Sequence, residues 1–116
     1  MMKESGVLIV GVEHGGKVHT SFVLRPQLVK DSIEVMEGDE AERASRNPHF
    51  AGACIIAKQI ESLGEIPKEE ITTDLVMSLV DIDFEVISKA RETLEKRLRS
   101  FRSSHDGATK DSTVTA

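Results

Sequence analysis

The residue types most suggestive of chemistry lie early in the chain. Gly11-Val-Glu-His-Gly-Gly16-Lys17 matches the first seven positions of the G-x-x-x-x-G-K phosphate loop and follows an apolar run. That loop cradles phosphates with backbone N–H groups, reaches them with its lysine and holds magnesium through the hydroxyl that comes next, at the mouth of a helix. Here Val18 takes the hydroxyl's place, and the residues after it alternate as a strand. The motif therefore reads as a glycine-rich hairpin turn. Asp81 ends an apolar run, as the acidic partner of such a loop would, but it introduces a helix, and the strand–helix alternation of a nucleotide-binding domain is missing.

The other reactive types give no constellation. His14, His19, His49 and His105 lack paired-ligand spacing, and His49 and Cys54 are too far apart to share one helix face. Cys54 sits in a broadly apolar segment, where a thiol is expected to be a buried small hydrophobe and not a nucleophile. Asp81 and Asp83 could pair as acid and base, but at a helix start they read as caps and as partners of the helix dipole. The stretch Lys96-Arg97-Leu98-Arg99-Ser100-Phe101-Arg102 could meet phosphates. Against this stand a net charge of −5 and the absence of Trp and Tyr, the best stacking residues. No enzyme activity, metal or cofactor is expected.

The elements that would position these residues make an α+β domain: an N-terminal β-hairpin followed by about four helices. Gly6 to Val12 is apolar and β-branched, and Val18, Thr20, Phe22 and Leu24 alternate in the period of a half-buried strand, with Glu13-His14-Gly15-Gly16 between them. Pro26 closes the second strand and can open a helix, along which Leu28, Val29, Ile33 and Met36 recur at helical spacing. The stretch from Gly38 to Arg46 has no clear stripe and reads as a mobile or partly helical connection. Asn47-Pro48 then caps a helix predicted to run to about Leu63, with Gly64 as its left-handed stop. A short helix starts at Ile71-Thr72-Thr73-Asp74 and carries Leu75, Val76, Met77 and Leu79. The last helix is long and amphipathic: Phe84, Ile87, Ala90, Leu94, Leu98 and Phe101 make one continuous stripe. One domain over residues 1–102 and a disordered tail over 103–116 are expected, since the tail has too little apolar surface to offset its ordering entropy.

Composition bounds the setting. One cysteine cannot form an intramolecular disulfide, no signal-peptide pattern opens the chain, and the apolar run from Val7 to Val12 is far too short to span a bilayer. A soluble cytoplasmic protein is the expectation. Charge is unevenly spread. Fourteen acidic residues face four basic ones between Asp31 and Glu85, whereas six basic residues face two acidic ones between Val86 and Arg102. Two electrostatically distinct faces could then meet a partner or complement each other within the fold.

Two passages carry a family resemblance. Phe22-Val-Leu24-Arg25-Pro26-Gln-Leu28-Val-Lys-Asp31 resembles the passage from hairpin to first helix in phage tail assembly chaperones of Mu-like and lambda-like tail gene clusters. Ile60-Glu-Ser-Leu63-Gly64-Glu-Ile66-Pro67, then Ile71-Thr72, Leu75, Leu79, Asp81 and the helix from Phe84, follows that family's order of elements over residues 6 to 102. The resemblance implies a non-enzymatic protein of the bacterial host cytoplasm. It would bind the phage tape-measure protein, keep its apolar helices soluble, and be absent from the finished virion. Self-association is left open, no cofactor or membrane is implied, and nucleic acid is the weaker partner. The alternative is a small regulatory or nucleic-acid-binding protein that uses the basic last helix. Methionine adapts to varied client helices, so Met77 is the first candidate client-binding residue and Met36 the second, with Leu75, Val76 and Leu79 beside Met77. The competing reading has both methionines filling the core.

Overall fold

The computed structural model describes residues 1–102; the expected disordered tail, 103–116, lies outside them. Strands β1 (Glu4–His14) and β2 (Lys17–Leu24) form the hairpin, turned by Gly15 and Gly16 at φ of 61° and 79°. Two successive positive φ values are what a tight hairpin turn demands, and glycine meets them without a Cβ clash. Helices α1 (Val29–Glu37), α2 (Ala41–Arg46) and α3 (Pro48–Gln59) follow. A third strand, β3 (Ile60–Leu63), one 3-10 turn (Lys68–Glu70), α4 (Thr73–Met77) and α5 (Asp81–Arg99) complete the order. The fold is α+β, with an antiparallel sheet ordered β1-β2-β3.

The third strand corrects the sequence reading, which carried α3 on to Leu63. Ile60 and Leu63 sit three apart, so they fit a helical stripe, but they also fit a short bulged strand. Ile60 leaves the helix at ψ 108° and pairs with Leu24, and Leu63 pairs with Phe22. All four side chains are buried together. The extended form puts Ile60 and Leu63 on the inner face of the sheet, and the Lys68 ammonium donates to the carbonyls of Ala57 and Ile60 that the helix end leaves open. Gly64 does adopt the left-handed form, φ 55°, yet it follows a strand. A Cβ there would stand 2.2 Å from the His19 Nδ1.

Helix α3 begins as its sequence predicts, with the Asn47 side chain accepting the Phe50 N–H at 3.1 Å and Pro48 in the first turn. Its apolar residues face two ways. Ala53, Ile56 and Ala57 join Leu8, Val12, Phe22, Leu24, Ile87 and Leu94 in the main core, whereas Phe50, Cys54 and Ile55 pack with Val35 and Ala44. A helix placed between two apolar layers has no polar face, which explains its composition. The connection before it is partly helical: Ala44 of α2 closes the smaller layer.

Asp83 departs from its expected role as a cap. The residue at the N-cap of α5 is Val80, and the Asp83 carboxylate instead accepts the N–H groups of Ile9 (2.7 Å), Val10 (3.0 Å) and Gly11 (2.8 Å). These residues form an irregularity in β1: the ladder runs to Val7↔Ser21 and resumes at Val12↔His19, so Leu8 to Gly11 stand opposite Thr20 alone. Burial by itself would raise the Asp83 pKa, but the three backbone donors outweigh it and hold the group below the ordinary carboxylate range. A free carboxylate bonded to three N–H groups ties the start of α5 to the middle of β1.

Candidate functional site

The corner between β2 and α1 is built on a buried ion pair. The Asp31 carboxylate accepts from both guanidinium nitrogens of Arg25 at 2.9 Å, and from the Leu28 N–H at 2.8 Å. As the third residue of α1, Asp31 reaches back to the backbone ahead of the helix, as an acid at that position can. Its hydrogen bonds with Arg25 draw the pKa down against the opposing effect of burial. The pair therefore fixes how α1 leaves the sheet.

A second network fixes α5 against the same corner. The Gln59 side chain donates to the Arg25 carbonyl at 3.0 Å and accepts from the Arg91 Nε at 2.7 Å; Arg91 also donates to the Gln27 side chain at 3.0 Å. Arg91 thus joins α5 to the end of α3 and to the start of α1. Between the two helices lies a groove of about 600 Å³, with Leu28, Val29 and Ile33 on one wall and Leu94 and Leu98 on the other. Glu92 and Glu95 stand along its α5 side.

The α1 wall is unusual for a helix in so small a domain. At 3.6 residues per turn, Val29, Ile33 and Met36 fall within roughly 60° of one another, whereas the buried Asp31 and Val35 point to the opposite side. Val29 is 80% exposed, Ile33 49% and Met36 52%. Helix α1 is therefore apolar on a face that the core does not use. The stripe of α5 behaves similarly at its end: Ile87 and Leu94 are buried, but Leu98 and Phe101 are exposed beyond the sheet. A groove with apolar side chains on both walls and polar ones, among them Ser32, Ser88 and Arg91, beside them can receive an amphipathic helix.

Sequence reasoning located this site only in part. Met36 lies on the exposed α1 stripe, although it does not line the groove itself. Val29, Ile33 and Leu98 were missed as site residues; their signal was the helical spacing from Leu28 to Met36 combined with too many apolar residues for one buried face. Met77 is exposed on α4, so neither methionine fills the core. Val76 is a correction: it is buried in the main core, where Leu75 and Leu79 pack against it in part, and it cannot offer its side chain to a client. Met77 alone among Leu75, Val76, Met77 and Leu79 is a well-exposed apolar side chain, and Leu79 lies beyond the end of α4.

A family model, a curated protein or a solved structure matching this chain was not found. The geometry of the remaining candidate groups tells what chemistry they can perform. Lys17 opens strand β2 and pairs with Glu65 at 3.0 Å, so a strand and not a helix follows the glycine turn. His14 meets Glu70 at 2.7 Å, and the buried His19 accepts the Glu65 N–H through Nδ1, which leaves Nε2 to donate to the His14 carbonyl. Among the described residues no three His, Cys, Asp or Glu side chains gather as a metal site. A second cleft, of about 650 Å³ and lined by several charged side chains, contains Cys54, but burial pushes that thiol's pKa up, and it donates to Glu40 at 3.6 Å. A protonated thiol beside a carboxylate is a poor nucleophile. On the basic end of α5, Arg97 pairs with Glu4 and Arg99 with Glu95, so part of its charge is satisfied within the domain. No helix among the described residues is long and apolar enough to cross a membrane.

Proposed function

We propose that this chain is a phage tail assembly chaperone that takes an amphipathic helix of the tape-measure protein into the groove between α1 and α5. The observation that carries the reading is the exposed stripe Val29, Ile33 and Met36, which extends the apolar groove wall along a helix whose other face already serves the core. A client helix laid there would bury apolar side chains at i, i+3 or i+4, and i+7, which keeps them from associating with one another. Glu92 and Glu95 favour clients with Lys or Arg beside that seam. The protein would act in the bacterial host cytoplasm and leave as the tail tube polymerises. The order of elements that resembles the chaperone family supports the same reading.

The test is co-expression with an authentic tape-measure protein. Ile33→Asp places a charge on the exposed stripe without touching the core, so the domain should keep its circular dichroism while soluble tape-measure protein falls severalfold. Val18→Asp, an exposed change on the hairpin, should leave client solubility as it is. Equal solubility with the unaltered protein and with Ile33→Asp would remove the groove from the reading. Failure of the unaltered protein to bind or solubilise the partner would remove the chaperone assignment.

A further inference from the structure

Strand β1 carries an opposed pair of properties. It is an edge strand, paired with β2 on one side only, and its centre is Gly6-Val-Leu-Ile-Val-Gly-Val12, uncharged and without proline. Val7, Ile9 and Val10 are each at least half exposed. A long apolar edge of this kind is a template for another strand, and short uncharged β-branched segments are the usual nuclei of such pairing. Yet the middle of the strand does not offer a regular ladder. Leu8 to Gly11 drop out of the β1–β2 ladder, and the N–H groups of Ile9, Val10 and Gly11 all end on the Asp83 carboxylate. Gly11 adopts φ 96° there, and a Cβ on it would press into Val18 and Thr20.

We propose that Asp83 is a latch that keeps the edge of β1 from adding the β1 of a second copy of this chain. Three successive donors held by one carboxylate cannot be presented to a neighbouring strand, and the bulge they form breaks the regular spacing an added strand requires. The occupant follows from the sequence of β1 itself. Antiparallel self-pairing centred on Leu8 would set the apolar residues Val7 and Ile9 opposite each other and bring Lys3, which lies just ahead of β1 and pairs with Glu61 at 2.5 Å in the single copy, opposite Glu13 at both ends. Charge therefore complements at the ends of an apolar centre. The interface would be isologous and would close on two copies.

The experiment compares the unaltered protein with D83N and D83E by sedimentation over a range of concentrations. D83N keeps the shape of the side chain but removes the charge and replaces one of the two acceptor oxygens by an amide group that opposes a backbone donor; D83E keeps the charge and displaces it by one methylene. With the latch open and the domain folded, the mean mass should roughly double relative to the unaltered protein. Adding Val10→Lys, a charge on the exposed edge, should return the D83N variant to the unaltered mass. Leu94→Ala, a core change far from the latch, controls for loss of stability and should not associate. The proposal is overturned if folded D83N and D83E keep the unaltered mass, if Val10→Lys does not reverse the association, or if Leu94→Ala associates equally. It is also overturned if both Asp83 variants are unfolded, since a latch must open on a folded domain.

Discussion

Consider the ion pair at the root of α1 as a double-mutant cycle of Arg25→Met, Asp31→Asn and the two together. Asp31 is 0% exposed and receives two charged hydrogen bonds from Arg25 and one from the Leu28 N–H. Breaking a buried pair costs about 3–5 kcal/mol, most of it the penalty for the charge left behind. The two partners are not equivalent. The Arg25 side chain is 19% exposed, so water can reach a guanidinium orphaned by Asp31→Asn, and that variant should lose about 2–3 kcal/mol. Arg25→Met leaves a carboxylate out of reach of water with one backbone donor, and its loss should lie near the upper end, about 3–5 kcal/mol. The double variant strands neither charge, so its loss should fall short of the sum by at least about 1 kcal/mol. The chain has no Trp or Tyr, so urea unfolding is followed by far-ultraviolet circular dichroism. Additivity within about 0.5 kcal/mol would refute the claim that these two charges depend on each other. The same pair sets the angle of α1, so under the proposed function a folded Asp31→Asn should also keep less tape-measure protein soluble in co-expression.

Two further outcomes follow from burial. Val76→Asp should prevent folding, whereas Met77→Asp should cost less than about 1 kcal/mol by urea unfolding, because one residue is in the core and its neighbour faces outward; equal losses would mean that α4 is rotated from the position described. Acid should destabilise the domain through Asp31 and Asp83, both held below the ordinary carboxylate range. For groups whose pKa is depressed on folding, the stabilisation is present above the unfolded value of about 3.9 and is lost as pH falls through the folded value. Thermal unfolding should therefore shift little between roughly pH 7 and 5 and fall steeply below about 4, and a melting temperature unchanged down to pH 3 would contradict it.

The hairpin, the caps of α3 and α4 and the long α5 were legible because each rests on a local rule: two adjacent glycines, an Asn-Pro pair, a threonine ahead of its helix, a stripe at threes and fours. What escaped were choices that depend on distant residues. Ile60 and Leu63 satisfy helix and strand equally, and the decision lies with Phe22 and Leu24, which need partners on the inner face of the sheet. Asp83 could have capped its own helix, and the decision lies with an irregularity in β1 that no local pattern announces. The candidate groove was half legible for a similar reason. Val29, Ile33 and Met36 are visible as a helical set, but only the buried pair Asp31 and Val35 reveals that the set points away from the core. Leu98 looks like the next member of a buried stripe until α5 is seen to outrun the sheet beneath it.

The bonds between Asp83 and β1 join residues 72 to 74 positions apart. On a ribosome adding about 5–20 residues per second, Gly11 is made roughly 4–15 s before the carboxylate that will hold it. For that interval the most self-adhesive segment of the chain is synthesised without its restraint, while many copies can emerge side by side from one message. Slower translation of the region before α5 lengthens the exposure and faster translation shortens it, so the yield of soluble protein should respond to codon choice there even though the amino-acid sequence is unchanged.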